Sequence, residues 1–254
     1  VDAITQDLAI KMAEAGCRRV FFGIDTGTRK VSEYIGKGPL SHSQIMQNVS
    51  VVNSAGIECT ASFIIGFPGE TLSDIKETLT LLLDVKAAGN GRNETHLHIL
   101  APHPGTLMAQ ANEQELEFDG TDWDHFASRL FDADKEMINR HPEIFTAFYD
   151  IRTVGAPTPL LRNIYRLMTN LSYFPDTLML LWRRECLRFL DALLSQATEL
   201  PGESYAEDPA GTDELAPVTV IYRFLQERLL PQLGEQKDAG ELLRYEYTIN
   251  GMPL

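Results

Sequence analysis

The segment Thr60-Ala-Ser-Phe-Ile-Ile-Gly-Phe-Pro-Gly-Glu-Thr71 leaves this chain few ways to fold. It is apolar from Ala61 to Ile65, breaks at Gly66-Phe67-Pro68-Gly69, and reopens with polar residues from Glu70. A β-branched apolar run closed by Gly and Pro predicts a buried strand. Thr71-Leu72-Ser73-Asp74 carries helix-capping chemistry, and Glu70 adds negative charge at the helix start. The result is a strand–turn–helix corner with two glycines. Gly lacks a Cβ and accepts positive φ, so a ligand could approach the backbone there, although a bare βα turn would look the same.

Two further units of this kind flank the corner. The helical stripe Ile4, Leu8, Ile10, Met12, Ala15 stops at Gly16, and Arg19 to Ile24 follows as a strand closed by Asp25-Thr26-Gly27-Thr28. A helix pair is predicted from Arg29 to Ala55, with Ser41 as a cap. The central strand then runs from Ile57 to Ile65, and a helix from Thr71 to Ala88 turns Ile75, Leu79, Leu82 and Leu83 inward. Thr95 to Leu100 is a third strand, closed by Pro102-His103-Pro104-Gly105-Thr106. Such alternation implies parallel strands with right-handed crossovers, and functional groups then gather at the strands' C-terminal ends. All three of those ends carry Gly. Three strands are too few to close an eight-stranded barrel.

Composition narrows the function classes. A formal net charge of −14 argues against broad binding to a nucleic acid backbone, and no nucleic-acid motif is present. No apolar run is long enough to span a membrane, and the first residues read as an amphipathic helix and not a leader. Cys17, Cys59 and Cys186 are scattered, which supports neither a disulfide framework nor a zinc site and fits a reducing cytoplasm. Residue 1 is Val and nothing stands ahead of the first helix, so the chain is expected to be a piece of a longer protein.

Read together, Gly23-Ile24-Asp25-Thr26-Gly27-Thr28, Ile35-Gly36-Lys37-Gly38, Ala55-Gly56-Ile57, Phe63 to Thr71 and Pro102 to Thr106 resemble the second half of a radical S-adenosylmethionine core. The order is similar to the subgroup that often carries a cobalamin-binding domain upstream. The resemblance covers about residues 1–110 and implies an α/β fold, the C-terminal half of a partial TIM-like (β/α) barrel. A helical extension over 111–200, an acidic linker over 201–216, and a helix with a short terminal strand over 217–254 would follow.

By resemblance, Asp25 would bind the ribose or amino group of S-adenosylmethionine, since a carboxylate accepts from either. Asp25 stands where the family usually has Glu, one methylene longer. Thr26 and Thr28 replace the family's serines and keep the hydroxyl. Ile64 would pack on adenine, Gly66 would leave room for it, and Leu100 to Pro102 would meet adenine through backbone groups. Other readings are a helix N-cap for Asp25 and plain core for Ile64. The family's Cys-x3-Cys-x2-Cys motif is missing, and thiolates are what hold a four-iron cluster. The cluster ligands, and any cobalamin, would lie outside these residues. In the whole enzyme the resemblance implies a peptide or small-molecule substrate, C-methylation or peptide maturation, and an electron donor such as flavodoxin or ferredoxin. No catalytic residue is singled out.

His96 and His98 lie two apart on one strand and share a face. Satisfied strand histidines are the expected reading over a metal pair. His103, on the third rim, could touch substrate. Asp122 to Phe126 reads as a turn with aromatic anchors, residues 126–198 as helical, Leu178 to Leu194 as one helix, and Leu243 to Ile249 as strand-like. Two other functions fit the same residues. One is a cluster-free α/β-barrel lyase or isomerase whose rims hold a phosphate. The other is a non-catalytic module whose helical tail binds a protein.

Overall fold

The three apolar runs form one parallel sheet in the order β1–β2–β3: β1 Arg19–Asp25, β2 Glu58–Ile65 and β3 Glu94–Ile99. The computed structural model describes residues 4–38, 41–118, 132–153, 155–199, 216–234 and 236–250. β2 takes the central place because it is apolar on the face that meets helices: Cys59, Ala61, Phe63 and Ile65 have no exposed surface. The register sets Gly23 beside Ser62, Ser62 beside His96 and Ile64 beside His98. Side chains alternate along a strand, so the sheet has two distinct faces. Phe22, Ile24, Phe63, Ile65, Leu97 and Ile99 are buried against helices. Phe21, Gly23, Ser62, Ile64, His96 and His98 lie on the other face, each exposed or half-buried.

Helix α1 (Gln6–Glu14) precedes β1, α2 (Arg29–Tyr34) and α3 (His42–Ser54) join β1 to β2, and α4 (Leu72–Ala88) joins β2 to β3. α4 starts where the capping chemistry places it. Thr71 N–H donates to Asp74 Oδ2 at 2.8 Å, and Asp74 N–H returns a bond to Thr71 Oγ1 at 3.2 Å, a reciprocal box. α4 is buried on several sides, with Ile75, Thr78, Leu79, Leu81, Leu82, Leu83 and Val85 all inside. It packs on β2 and β3 and also on α3 and on helices of the C-terminal part.

The foot of the sheet is fastened by Asn93, which is 1% exposed. Its Oδ1 accepts from Cys59 N–H at 3.1 Å and from Asn53 Nδ2 at 2.9 Å. Its Nδ2 donates to Asn53 Oδ1 at 3.0 Å and to the Val85 carbonyl at 2.9 Å. One side chain thus satisfies β2, α3 and α4 together.

Beyond the third strand the chain forms α5 (Leu107–Ala111), β4 (Leu116–Phe118), α6 (Asp132–Arg140), β5 (Tyr149–Ile151), α7 (Thr158–Asn170), α8 (Pro175–Glu185) and α9 (Leu187–Glu199). α10 (Ala216–Phe224), a π-helical turn over Leu225–Leu229, α11 (Leu230–Leu233) and α12 (Lys237–Ile249) follow. Three expectations need correction. The 111–200 region is not wholly helical: β4 pairs antiparallel with β5. The helix expected over Leu178 to Leu194 is two helices, because Cys186 adopts a left-handed φ of 41°. That break lets α8 lie on α4 and α12 while α9 lies on α7. The terminal segment is not strand-like but helical. Its buried residues Ala239, Leu243, Glu246 and Tyr247 recur at helical spacing, and Tyr247 stacks on Tyr222 at 4.0 Å. The expected aromatic turn at 122–126 and all of the 201–216 linker except Ala216 lie outside the described residues.

One buried core runs from Phe22 to Tyr247. Glu246, 2% exposed, caps α8: it accepts from the N–H groups of Asp176 (2.8 Å) and Thr177 (2.9 Å) and from the Thr177 hydroxyl (2.5 Å). A side chain on α12 therefore satisfies the unpaired donors at the start of α8. No helix among the described residues is long and apolar enough to cross a membrane.

Candidate functional site

The C-terminal ends of β1, β2 and β3 bring the three Gly-bearing loops to one rim. At the first, Asp25 ends β1 with a φ of 67°. Left-handed backbone is unfavourable for a residue with a Cβ and is kept only where the surroundings enforce it. The enforcement is visible. Thr26 and Thr28 are buried, Thr28 N–H donates to Thr26 Oγ1 at 3.1 Å, and Thr26 Oγ1 lies 3.3 Å from Thr78 Oγ1 on α4. Gly27 N–H donates to Thr78 Oγ1 at 3.0 Å. A Cβ on Gly27 would stand 2.6 Å from the Glu77 carbonyl, so only Gly can seat the turn this closely on α4. Thr28, not Asp25, caps α2, accepting from Val31 N–H at 3.3 Å.

The Asp25 carboxylate is thereby left for other work. It pairs with Lys37, whose Nζ also donates to the Gly23 carbonyl at 2.8 Å. Lys37 is a neighbour of Asp25 that reasoning from sequence did not bring to this rim. It belongs to the Gly36-Lys37-Gly38 turn, but only the folded chain brings it over the end of β1.

At the second rim Gly66 has a φ of 94°, and the Glu70 side chain folds back beneath it. Glu70 Oε2 accepts from Gly66 N–H at 2.6 Å and Phe67 N–H at 3.1 Å, while Oε1 is buried without a partner. Burial pushes the Glu70 carboxyl up to about 7, outweighing the two backbone donors. The space left by the missing Cβ of Gly66 is taken by Leu161 of α7, whose Cδ1 would lie 3.0 Å from it. Ile64 is half-buried on the open face, one residue out of phase with the core.

At the third rim Leu100 N–H donates to the Ile65 carbonyl at 2.9 Å, extending the β2–β3 ladder. Leu100 is half-buried, Pro102 buried and His103 exposed. Asn112 Nδ2 reaches the Tyr34 hydroxyl at 3.3 Å, linking the segment after α5 to α2 across the rim. The helix after the third strand, α5, has five residues, and its first-turn Ala109 N–H is already taken by Thr106 Oγ1. That leaves little there for a phosphate.

The structure thus gathers Asp25, Ile64, Gly66, Leu100 and Pro102 at one end of the sheet. The hydroxyls of Thr26 and Thr28 have partners within the chain. His96 and His98 stand below the rim with ring centroids 6.3 Å apart, edge to face. The cysteines do not fit an iron–sulfur cluster. Cys17 precedes β1, Cys59 is buried at the start of β2 and Cys186 separates α8 from α9. Burial pushes the Cys59 thiol up to about 11, which keeps it protonated at neutral pH.

Residues 2–82 match the family model of the Radical SAM superfamily. Over 110 residues the chain is 33% identical to an uncharacterized methyltransferase of Pyrococcus horikoshii, a match covering 42% of this chain and 22% of that protein. The chain therefore spans well under two thirds of that relative's length. Among solved structures, similarity is found to a cobalamin-dependent S-adenosylmethionine radical enzyme, OxsB, with aqua-cobalamin bound. The identity is 14% and the TM-score 0.37, covering 96% of this chain and 43% of that one.

Proposed function

We propose, from the premise that residues 2–82 belong to the radical SAM superfamily, that the rim of β1, β2 and β3 is the S-adenosylmethionine-binding wall of a radical enzyme. The sheet would be the C-terminal half of its partial barrel. The observation that carries this reading is Asp25: a carboxylate at a strand end, in a left-handed backbone conformation, in a turn pinned to α4. A carboxylate so held can accept from the ribose hydroxyls or the amino group of the cofactor. Lys37, beside it, offers the matching cation for the cofactor's own carboxylate. Ile64 supplies an apolar surface for the adenine ring, and Leu100 and Pro102 supply the neighbouring wall. Thr26 and Thr28 act by holding the turn, and Gly66 acts by letting α7 close against the corner. These residues bind and orient; none is assigned to bond-making.

Bound at this rim, S-adenosylmethionine would supply radical or methyl-transfer chemistry. The reducing cluster is not held by Cys17, Cys59 or Cys186, so its ligands belong to residues outside this chain, as would any cobalamin. Methyl transfer is the reaction class we favour. Support comes from the methyltransferase name of the relative that shares 33% identity.

The test uses the full reading frame, prepared anaerobically. About four irons and four sulfides per chain are expected, lost when upstream cysteines are changed. S-adenosylmethionine should bind, and Asp25→Ala should weaken it about tenfold or more, the worth of one or two hydrogen bonds to a charged group. An iron-free protein, or equal affinity in the variant, would overturn the proposal.

A further inference from the structure

A cavity lies below the rim, beside the outer edge of β3. It encloses about 390 Å³ between β3, α4 and α7. Five consecutive β3 residues, Glu94 to His98, line it. Consecutive residues point to opposite faces of a strand, so a cavity that touches all five opens on the strand's edge and on neither face alone. The opposite wall is α7, where Tyr165, Met168 and Thr169 recur at helical spacing, continued by Ser172 in the 3-10 turn that follows it. Near its start α7 is shut against the sheet, where Leu161 comes over Gly66. Toward its end it stands off β3, and the cavity is the wedge between them.

The floor is apolar, from Leu82, Leu83, Leu97 and Leu178. One cation stands in it. Lys86, in the last turn of α4, is half-buried and makes no hydrogen bond or ion pair within 4 Å among the described residues. Burial lowers its pKa, and the only opposing influence is the charge of Glu94. Glu94, at the same cavity, is committed elsewhere: Oε1 pairs with Arg19 Nη1 at 2.5 Å and Oε2 accepts from Thr60 Oγ1 at 3.3 Å. A partly desolvated ammonium without an acceptor is costly, and an anion delivered by a ligand would relieve that cost. The Thr169 hydroxyl stands on the same side of the wedge to donate beside it, while the Ser172 hydroxyl donates to the Thr169 carbonyl at 2.5 Å and keeps only its acceptor side for a ligand.

We propose that this wedge is a ligand site for a small amphiphilic monocarboxylate, its carboxylate on Lys86 and its apolar chain or ring on the leucine floor. A cavity of this volume sits at the small end of those that hold organic ligands. The proposal does not rest on the cofactor reading.

The experiment is calorimetric titration of the chain with octanoate and, separately, with octanol. Octanoate is expected to bind about tenfold or more tightly than octanol, the margin that a charge-assisted hydrogen bond supplies. Lys86→Met keeps the length and apolar stem of the side chain; it should abolish that margin while octanol binding persists. Lys86→Arg should retain it. Met168→Trp, which fills the wedge from α7, should remove binding of both probes, with an unchanged melting temperature showing that the fold survives. Equal binding of octanoate and octanol, no binding of octanoate, or an undiminished margin in Lys86→Met would each overturn the proposal.

Discussion

The buried carboxyl of Glu70, with one oxygen left without a partner, makes the stability of the corner after β2 depend on pH in the direction opposite to a surface carboxylate. Its carboxyl is pushed up to about 7 in the folded chain from an ordinary value of 4.5. The folded state therefore binds this proton more tightly than the unfolded state. The stabilisation is complete below the unfolded value and is lost as pH rises toward about 7. Between pH 5 and pH 8 the loss amounts to roughly 2–3 kcal/mol, from about 1.4 kcal/mol for each unit of difference in pKa. Glu70→Gln isolates the effect. The Gln carbonyl oxygen can still accept from Gly66 and Phe67 N–H, while the side chain no longer ionises. Urea unfolding of both proteins at the two pH values gives a difference in which every other titrating group cancels. Relative to wild type, the variant should gain roughly 2–3 kcal/mol on going from pH 5 to pH 8. A gap that does not change with pH, or that changes in the other direction, would refute the assignment of a buried, weakly acidic Glu70.

Asn93→Ala removes four hydrogen bonds and strands the Cys59 N–H and the Asn53 amide inside the foot of the sheet; a loss of roughly 3–4 kcal/mol is expected in urea unfolding. Glu246→Ala uncaps α8 and leaves three donors without an acceptor, two of them on the buried Thr177. It should cost roughly 2–4 kcal/mol, and hydrogen exchange at Asp176 and Thr177 should rise before that of the sheet.

The alternation of strand and helix up to Leu100 was legible because each element there carries its own local signals. β2 is a β-branched apolar run, α4 opens with Thr71 and Asp74, and Gly closes each rim. The loop ends gathered at one rim because parallel strands leave no other choice. What sequence concealed depends on residues far apart in the chain. β4 and β5 are three residues each and exist only as partners, with no run long enough to show a period. Cys186 bends the chain without Gly, Pro or Asn to announce it, and the reason lies in where α8 and α9 must pack. The alternating Leu243 to Ile249 deceived because the window left out Ala239, the residue that reveals the helical spacing. At the site, Asp25 was visible from its neighbours in sequence, but its partner Lys37 was not. Thr78, which holds the turn, sits in the middle of a helix where nothing but an apolar pattern is read.

α4 emerges as the element that sets the geometry of the rim. The turn after β1 hangs from it through Thr78, and the corner after β2 leads directly into its capping box. Lys30, in the first turn of α2, donates to the Gly69 carbonyl at 2.5 Å and lies 3.3 Å from Asp74 Oδ2 in that box. The loops that would face a ligand are thus referred to one buried helix. Thr78 itself is fully buried, so replacing it with Val keeps the volume but leaves the Gly27 N–H and the Thr26 hydroxyl without that partner. Breaking such buried bonds costs roughly 1–3 kcal/mol. If the left-handed turn at Asp25 is enforced from α4, the same substitution weakens S-adenosylmethionine binding although residue 78 touches no ligand. A Ser at 78, which restores the hydroxyl, recovers it. Equal affinity in the Val variant would mean that Asp25 holds its conformation without α4.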